Sequence, residues 1–320
     1  MAVDYTTDAL IANIKRRVTL PDAQNLFTPA DLIEFASDEL SSTIEPLVHS
    51  VQQEYWVVRQ DIPLVMNQTN YLIPVRGIAN GLRLITLLDM GGNEIIFPLL
   101  RPEMTASAYN WLSPYSTATL CGFELEDDHI VVFPSSVVTN PTMSVRFRFE
   151  RQPSILCATT EAAQITAIAG NVATVNNIPS DWLVTDKFDI IKGSIAFVSR
   201  GDDLTVTNLN VGTSQITFTN PIPSTVVVGD WISEANTSPI AQIPFQMFPY
   251  LAQSVAVLVL AALGDSQALT DAKNLKAQMK EDVLKLLQPR DMGNVQTVVN
   301  KGGLFESGSY WGWTGGGWNW

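Results

Sequence analysis

The sequence predicts an α+β protein. It is read as a helical bundle from both chain ends with an inserted antiparallel β domain and a smaller β module, plus an extended C-terminal arm. Three observations predict it. Apolar residues recur with the 3.6-residue period of a helix at both ends, they alternate with period two in between, and part of the middle repeats itself. At 320 residues the chain has room for several units, each with a core of its own.

Residues 1–55 are the first part of the helical domain. Leu10, Ile11, Ile14 and Val18 form one stripe, which Pro21 ends. Thr28-Pro29-Ala30-Asp31 then reads as an N-cap, a proline at the first helical position and an acid in the first turn. The stripe that follows is Leu32, Ile33, Ala36, Leu40, Ile44, Leu47 and Val51. Pro46 should kink that helix or split it at Glu45, because proline lacks the N–H and clashes with the preceding turn.

Residues 56–152 are the antiparallel β domain. Its clearest strand is Met143–Phe149, in which Met143, Val145, Phe147 and Phe149 face one way and Ser144, Arg146 and Arg148 the other. A hairpin is readable at Leu120–Leu125, Asp127-Asp128 and Ile130–Phe133. Earlier strands are expected at Glu54–Arg59, Asn70–Ile73, Leu82–Asp89 and Glu94–Pro98, with Gly91-Gly92-Asn93 turning between the last two.

Residues 153–238 hold the repeat, in the segments Ile165–Ile191 and Val206–Ile232. Each has a strand, a Gly/Asn turn, a second strand, an Ile-Pro-Ser step and then an Asp beside an aromatic residue: Asp186 with Phe188, and Asp230 with Trp231. Two copies are too few for a solenoid and fit a small module of two similar hairpin units.

Residues 239–288 complete the helical domain. Met247–Leu263 is apolar over seventeen positions, short of the roughly twenty a membrane span needs, and reads as a buried helix. Leu269, Ala272, Leu275, Met279, Val283 and Leu286 line one face of the next helix, with lysines over most of the rest. Residues 289–320 form a Gly/Trp-rich arm ending YWGWTGGGWNW. Glycine disfavours helix and strand, while indoles carry a large apolar area with a polar N–H. Phe305, Tyr310, Trp311, Trp313, Trp318 and Trp320 are therefore read as docking anchors, for a partner chain in preference to a neighbouring copy or a groove of the same domain.

Composition narrows the function classes. Hydrophobic residues make up 46% and charged residues only 16%, which suits a folded subunit buried among others. A net charge of −13 argues against binding nucleic acid by phosphate neutralisation. Cys121 and Cys157 show no pairing pattern, so free thiols and assembly in the cytoplasm are expected. MAVDYTTDAL has neither the basic nor the apolar region of a secretory signal.

No catalytic residue, cofactor site or metal site stands out, and the chain is not read as an enzyme. His49 and His129 lie in different units without metal-ligand spacing. Glu124, Glu126, Asp127 and Asp128 lack the spacing of a calcium loop and are read as an acidic hairpin tip, and Asp202-Asp203 likewise as turn residues. Asp186 and Asp230 occupy matching places in the repeat, which favours an equivalent turn role over acid–base work. No nucleophile-elbow, phosphate-loop or zinc-protease motif occurs. Lys15-Arg16-Arg17 sits where cations meet the negative end of a helix; a contact to a neighbour's carboxylate is the second reading and DNA the third.

Three segments carry a resemblance: DALIANIKRRVTLPDAQNLFTPADLIEFASDELSSTIEPLV (Asp8–Val48), EYWVVRQDIPLVMNQTNYLIPVR (Glu54–Arg76), and SPIAQIPFQMFPYLAQSVAVLVLAALGD (Ser238–Asp265) followed by LLQPRDMGN (Leu286–Asn294). In order and texture the chain resembles the head-to-tail adaptor (connector) proteins of tailed bacteriophages, in particular the long podovirus-type adaptors. The resemblance implies a structural virion protein at the capsid–tail junction. It would form a ring, usually of twelve copies, under the portal protein, extending the DNA channel and giving tail or nozzle proteins a platform. Helices at Tyr5–Tyr55 and Gln246–Gln288 would form the ring body, the arm after Pro289 would reach the portal, and DNA would pass without specific binding. The β domains would contact neighbours, nozzle or fibres. The Trp-rich end lies outside the resemblance. Competing readings are a tail component that binds receptor or carbohydrate through exposed aromatics, a hydrolase using dispersed carboxylates, and a structural protein of another assembly.

Overall fold

Local sequence explains the first helices directly. The computed structural model describes residues 4–18, 26–52, 54–65, 68–74, 76–89, 91–96, 99–100, 122–133, 143–264 and 266–287. Helix α1 spans Thr7–Val18 and buries Leu10, Ile11, Ile14 and Val18. Helix α2 spans Pro29–Glu39 behind a reciprocal cap: Asp31 N–H donates to Thr28 Oγ1 (3.2 Å), and Thr28 N–H donates to Asp31 Oδ2 (2.7 Å). The Thr28 hydroxyl also donates to Asp31 Oδ2 (2.7 Å), and this bond, with that of the Thr28 N–H, holds the Asp31 carboxyl below its ordinary value.

Pro46 acts one turn before itself. Leu40–Ile44 widens into a π-helical turn, after which α3 runs Glu45–Val51 with Pro46 in its first turn. The widened turn makes room for the pyrrolidine ring without ending the chain's helical course.

Helix α4 (Phe248–Leu263) ends at Gly264, whose φ of 75° is the left-handed conformation that glycine adopts at low cost. Helix α5 spans Ser266–Leu287. The stretch Phe245–Leu263 is apolar and long enough to cross a membrane, yet 67% of its most apolar window is buried inside the protein. One hydrophobic core gathers Leu10 and Ile14 of α1, Leu32 and Ala36 of α2, Val48 of α3, Leu251 and Val255 of α4, and Val283 of α5. Polar bonds cross it: Arg17 Nη1 donates to Gln253 Oε1 (2.8 Å), Gln52 Nε2 to the Leu287 carbonyl (3.2 Å), and Lys276 pairs with Glu39 at 3.3 Å.

Two small sheets follow. The first orders β1 (Val57–Pro63), β7 (Ser144–Arg151), β3 (Gly77–Leu88) and β4 (Glu94–Ile96) side by side, with every pairing antiparallel. The second orders β2 (Asn70–Leu72), β6 (His129–Phe133) and β5 (Gly122–Glu126). Val145, Phe147 and Phe149 bury against Val58, Ile85, Leu87, Tyr71 and Ile130. Glu54–Trp56, expected to open the first strand, form a turn, and the strand starts at Val57. Trp56 is drawn instead into the helical core, where its indole N–H donates to the Gln242 carbonyl (2.9 Å). A parallel pair, β8 (Ile155–Leu156) with β15 (Thr237–Ser238), flanks the next unit.

That unit is a closed six-stranded barrel ordered β10–β13–β12–β11–β14–β9, from β9 (Ala163–Ala169), β10 (Val172–Val175), β11 (Lys187–Ile191), β12 (Ser199–Asn210), β13 (Gln215–Phe218) and β14 (Trp231–Glu234). Exchanging β9, β10, β11 for β12, β13, β14 preserves every neighbour relation, so the repeat is built as a pseudo-two-fold. Core positions match accordingly: Ile165 with Val206, Ala173 with Ile216, Val175 with Phe218, and Phe188 with Ile232. Closure leaves the barrel no free edge.

Candidate functional site

The residues singled out in the C-terminal arm (Phe305, Tyr310, Trp311, Trp313, Trp318 and Trp320) lie outside the described residues. The other candidates are placed. His49 Nδ1 lies 3.4 Å from Glu150, and His129 pairs with the adjacent Asp128 at the β5–β6 turn, where Asp127 takes a φ of 49°. Asp186 and Asp230 perform the same task in the two halves of the barrel. Asp186 Oδ2 accepts the Leu183 N–H (2.7 Å), and Asp230 Oδ2 accepts the Val227 N–H (3.0 Å). Of the basic cluster, Arg17 joins α1 to α4, and its pKa is lowered by burial and by Arg16. Among the described residues no group of His, Cys, Asp and Glu could hold a metal ion.

Asp202 and Asp203 depart from their reading as turn residues. They lie in β12, at an irregularity where Asp203 takes a φ of 55°. There they belong to the largest buried ionic cluster among the described residues, between the barrel and the four-stranded sheet. Its centre is Asp189 of β11, which is fully buried. It accepts from Arg76 Nη1 at 2.5 Å, Arg151 Nη2 at 3.2 Å, and the backbone N–H groups of Asp203 and Asn236, each at 3.0 Å.

Arg151, at the end of β7, is 2% exposed and also reaches Ser154 Oγ (3.3 Å) and the face of Phe197 (5.8 Å). Arg76 binds Asp203 at 2.7 Å. Burial alone would lower the Arg76 pKa; the hydrogen bond and charge of Asp189, with Asp203 and Asp202, carry it above its ordinary value. Burial pushes the Asp202 carboxyl up against the pull of Arg151. Asp202 Oδ1 forms an ion pair with Arg151 Nη1 at 2.9 Å and is buried without a hydrogen bond.

Arg76, Arg151, Asp202 and Asp203 line a cleft of about 480 Å³, together with Arg59, Lys187 and the apolar Val58, Leu72 and Phe149. A larger groove of about 760 Å³ runs between α2 with its π-helical turn and residues 152–161. It combines Ile33, Leu40 and Leu156 with Glu34, Asp38, Glu45 and Glu161. Burial holds the Glu45 carboxyl above its ordinary value.

The buried arginines are neutralised by carboxylates of another unit and are not free to polarise a substrate. Cys157 is buried, and that burial pushes its thiol up to about 12, far from a reactive thiolate. Nothing in the local patterns of PVRG or RFRFER marks Arg76 and Arg151 as partners of Asp189. The available signal was in the repeat, where the counterpart of Asp189 is Ser233, a neutral residue at the same buried position. No family model matches this sequence, and no curated protein matches it.

Proposed function

We propose that the chain is a structural subunit of a tailed-phage virion, a head-to-tail adaptor that forms a ring under the portal protein and carries tail or nozzle proteins. In this reading the helices from both chain ends make the ring body, the β units project from it, and the arm after residue 288 docks on the portal.

One observation supports the reading most. The buried carboxylates of this molecule are tied to cations that hold its parts in place: Asp189 with Arg76 and Arg151 between sheet and barrel, Glu150 with Arg83 within the sheet, and Glu39 with Lys276 within the helical core. A protein built to hold several units in fixed relation, with a net charge of −13 that repels a passing polyanion, suits a channel component.

Native mass spectrometry of the chain mixed with the portal protein encoded alongside it tests the proposal, using full-length protein and a version truncated after Asp291. A fixed complement of about one copy per portal subunit, lost on truncation, is expected. No complex with either version refutes it.

A further inference from the structure

The groove between α2 and residues 152–161 is lined by four carboxylates, Glu34, Asp38, Glu45 and Glu161, and by no cation. Among the described residues none of the four joins an ion pair. Glu161 Oε2 accepts only the Ala158 N–H (3.0 Å), and His49, near enough to act on Glu45, pairs with Glu150. The apolar lining comes from buried Ile33, Leu40 and Leu156 and from Ile155, which is 62% exposed. Four carboxylates around one hollow repel each other, and a surface that is both cationic and apolar relieves that repulsion as it covers them.

Such a surface lies at the far end of α1. The helix starts beside the groove, where the Thr159 hydroxyl donates to Asp8, two residues from Glu161. Its last turn carries Lys15, Arg16 and Arg17, roughly 12 Å further along the axis. Arg16 is exposed and Lys15 half-exposed, and neither has an ion pair among the described residues; Arg16 Nε donates to the Ala12 carbonyl (3.4 Å). Arg17, held by Gln253, lies 3.9 Å from Met279 Sδ of α5. With Val18 it borders a hollow of about 330 Å³, shared with Leu260 of α4 and Leu275 of α5, the latter 43% exposed. One carboxylate, Asp271, borders the hollow too, against the three cations that end α1.

We propose that the basic end of α1 in one copy of this chain docks on the acidic groove of the next copy, head to tail. Lys15 and Arg16 meet the unpaired carboxylates, and the exposed Ile155 meets the hollow beside Leu275, so each surface supplies what the other lacks. Each also repels its own kind, which disfavours a two-fold pair. A contact of unlike surfaces closes into a ring or runs on as a filament, whereas like surfaces stop at a dimer. The inference rests on the ring reading for its closure, and the contact itself is tested without the portal.

The test uses full-length chain in a Cys121→Ser background, with Ala12→Cys one turn before Arg16 and Ser41→Cys in the groove, made singly and together. Both positions are exposed, and Cys157 is buried and does not compete. With a short bis-maleimide at high protein concentration, neither single variant should cross-link to itself, their mixture should give a dimer, and the double variant a ladder. Arg16→Glu in the Ala12→Cys chain, or Glu34→Lys in the Ser41→Cys chain, should cut the mixed cross-link about tenfold, and the two changes together should restore it. A single variant that dimerises alone, a mixture that does not cross-link, or a yield indifferent to both charge changes overturns the inference. A portal complex without the mixed cross-link defeats the contact and leaves the adaptor; the mixed cross-link without a portal complex does the reverse.

Discussion

Replacing Asp189 by asparagine changes no volume and removes one charge from the centre of the link between sheet and barrel. The carboxylate accepts from two arginines and two backbone N–H groups. An amide keeps one acceptor oxygen and turns an NH₂ towards donors, so buried N–H groups lose their partners and two guanidinium groups lose a countercharge. Breaking a buried pair by removing one member costs about 3–5 kcal/mol. Asp202 and Asp203 remain beside the arginines, which places Asp189→Asn at the lower end, about 3 kcal/mol or more than a hundredfold in the folding equilibrium. Urea unfolding followed by tryptophan fluorescence measures it, because Trp182 and Trp231 report on the barrel and Trp56 on the helical core. Asp203→Asn is the control: its side chain is 48% exposed, and a loss within about 1 kcal/mol is expected. If Asp189→Asn costs no more than this control, the cluster does not hold the two units together.

Three other outcomes are expected. The double variant Trp311→Ala/Trp313→Ala should unfold like the parent and bind the portal at least about tenfold more weakly, read by native mass spectrometry. Thr28→Ala removes the cap of α2 and should cost about 1 kcal/mol in thermal unfolding. Stability should rise and then fall on acidification. Asp202, Glu45 and Glu234 have raised folded values, so their penalty, full above those values, is relieved as pH falls through them towards 4.5 and below. Asp31, Asp89 and Glu94 have lowered values, so their contribution is complete above the ordinary values of 3.8 and 4.5 and is lost as pH falls through the folded ones. Melting temperature against pH should therefore peak on the acid side of neutrality, and Glu234→Gln should flatten the rise.

What could be read in the sequence was local. The Thr28–Asp31 cap, the alternation from Val145 to Phe149, the repeat and the paired duty of Asp186 and Asp230 all depend on residues close in the chain, where spacing alone states the physics. Pro46 announced a break but not its form, because the choice between a kink and a widened turn depends on how Leu40 and Ile44 pack in the helical core. The ionic cluster was illegible for a different reason. Arg76 and Asp189 stand 113 residues apart, and a charged pair has no periodicity to betray it. Read as turn residues, Asp202 and Asp203 became partners of two arginines only once the barrel closed beside the sheet.

The helical core also imposes a timetable on synthesis. Arg17 meets Gln253 across 236 positions of chain, so α1 leaves the ribosome long before the helix it packs against. At about 5–20 residues per second, the interval is on the order of 10–50 seconds. During that time the stripe of Leu10, Ile14 and Val18 is without its main partner, while the sheets and the barrel, whose contacts are nearer in sequence, are free to fold. The first helices emerge early and mature late. A nascent chain halted before α4 would leave their apolar faces uncovered.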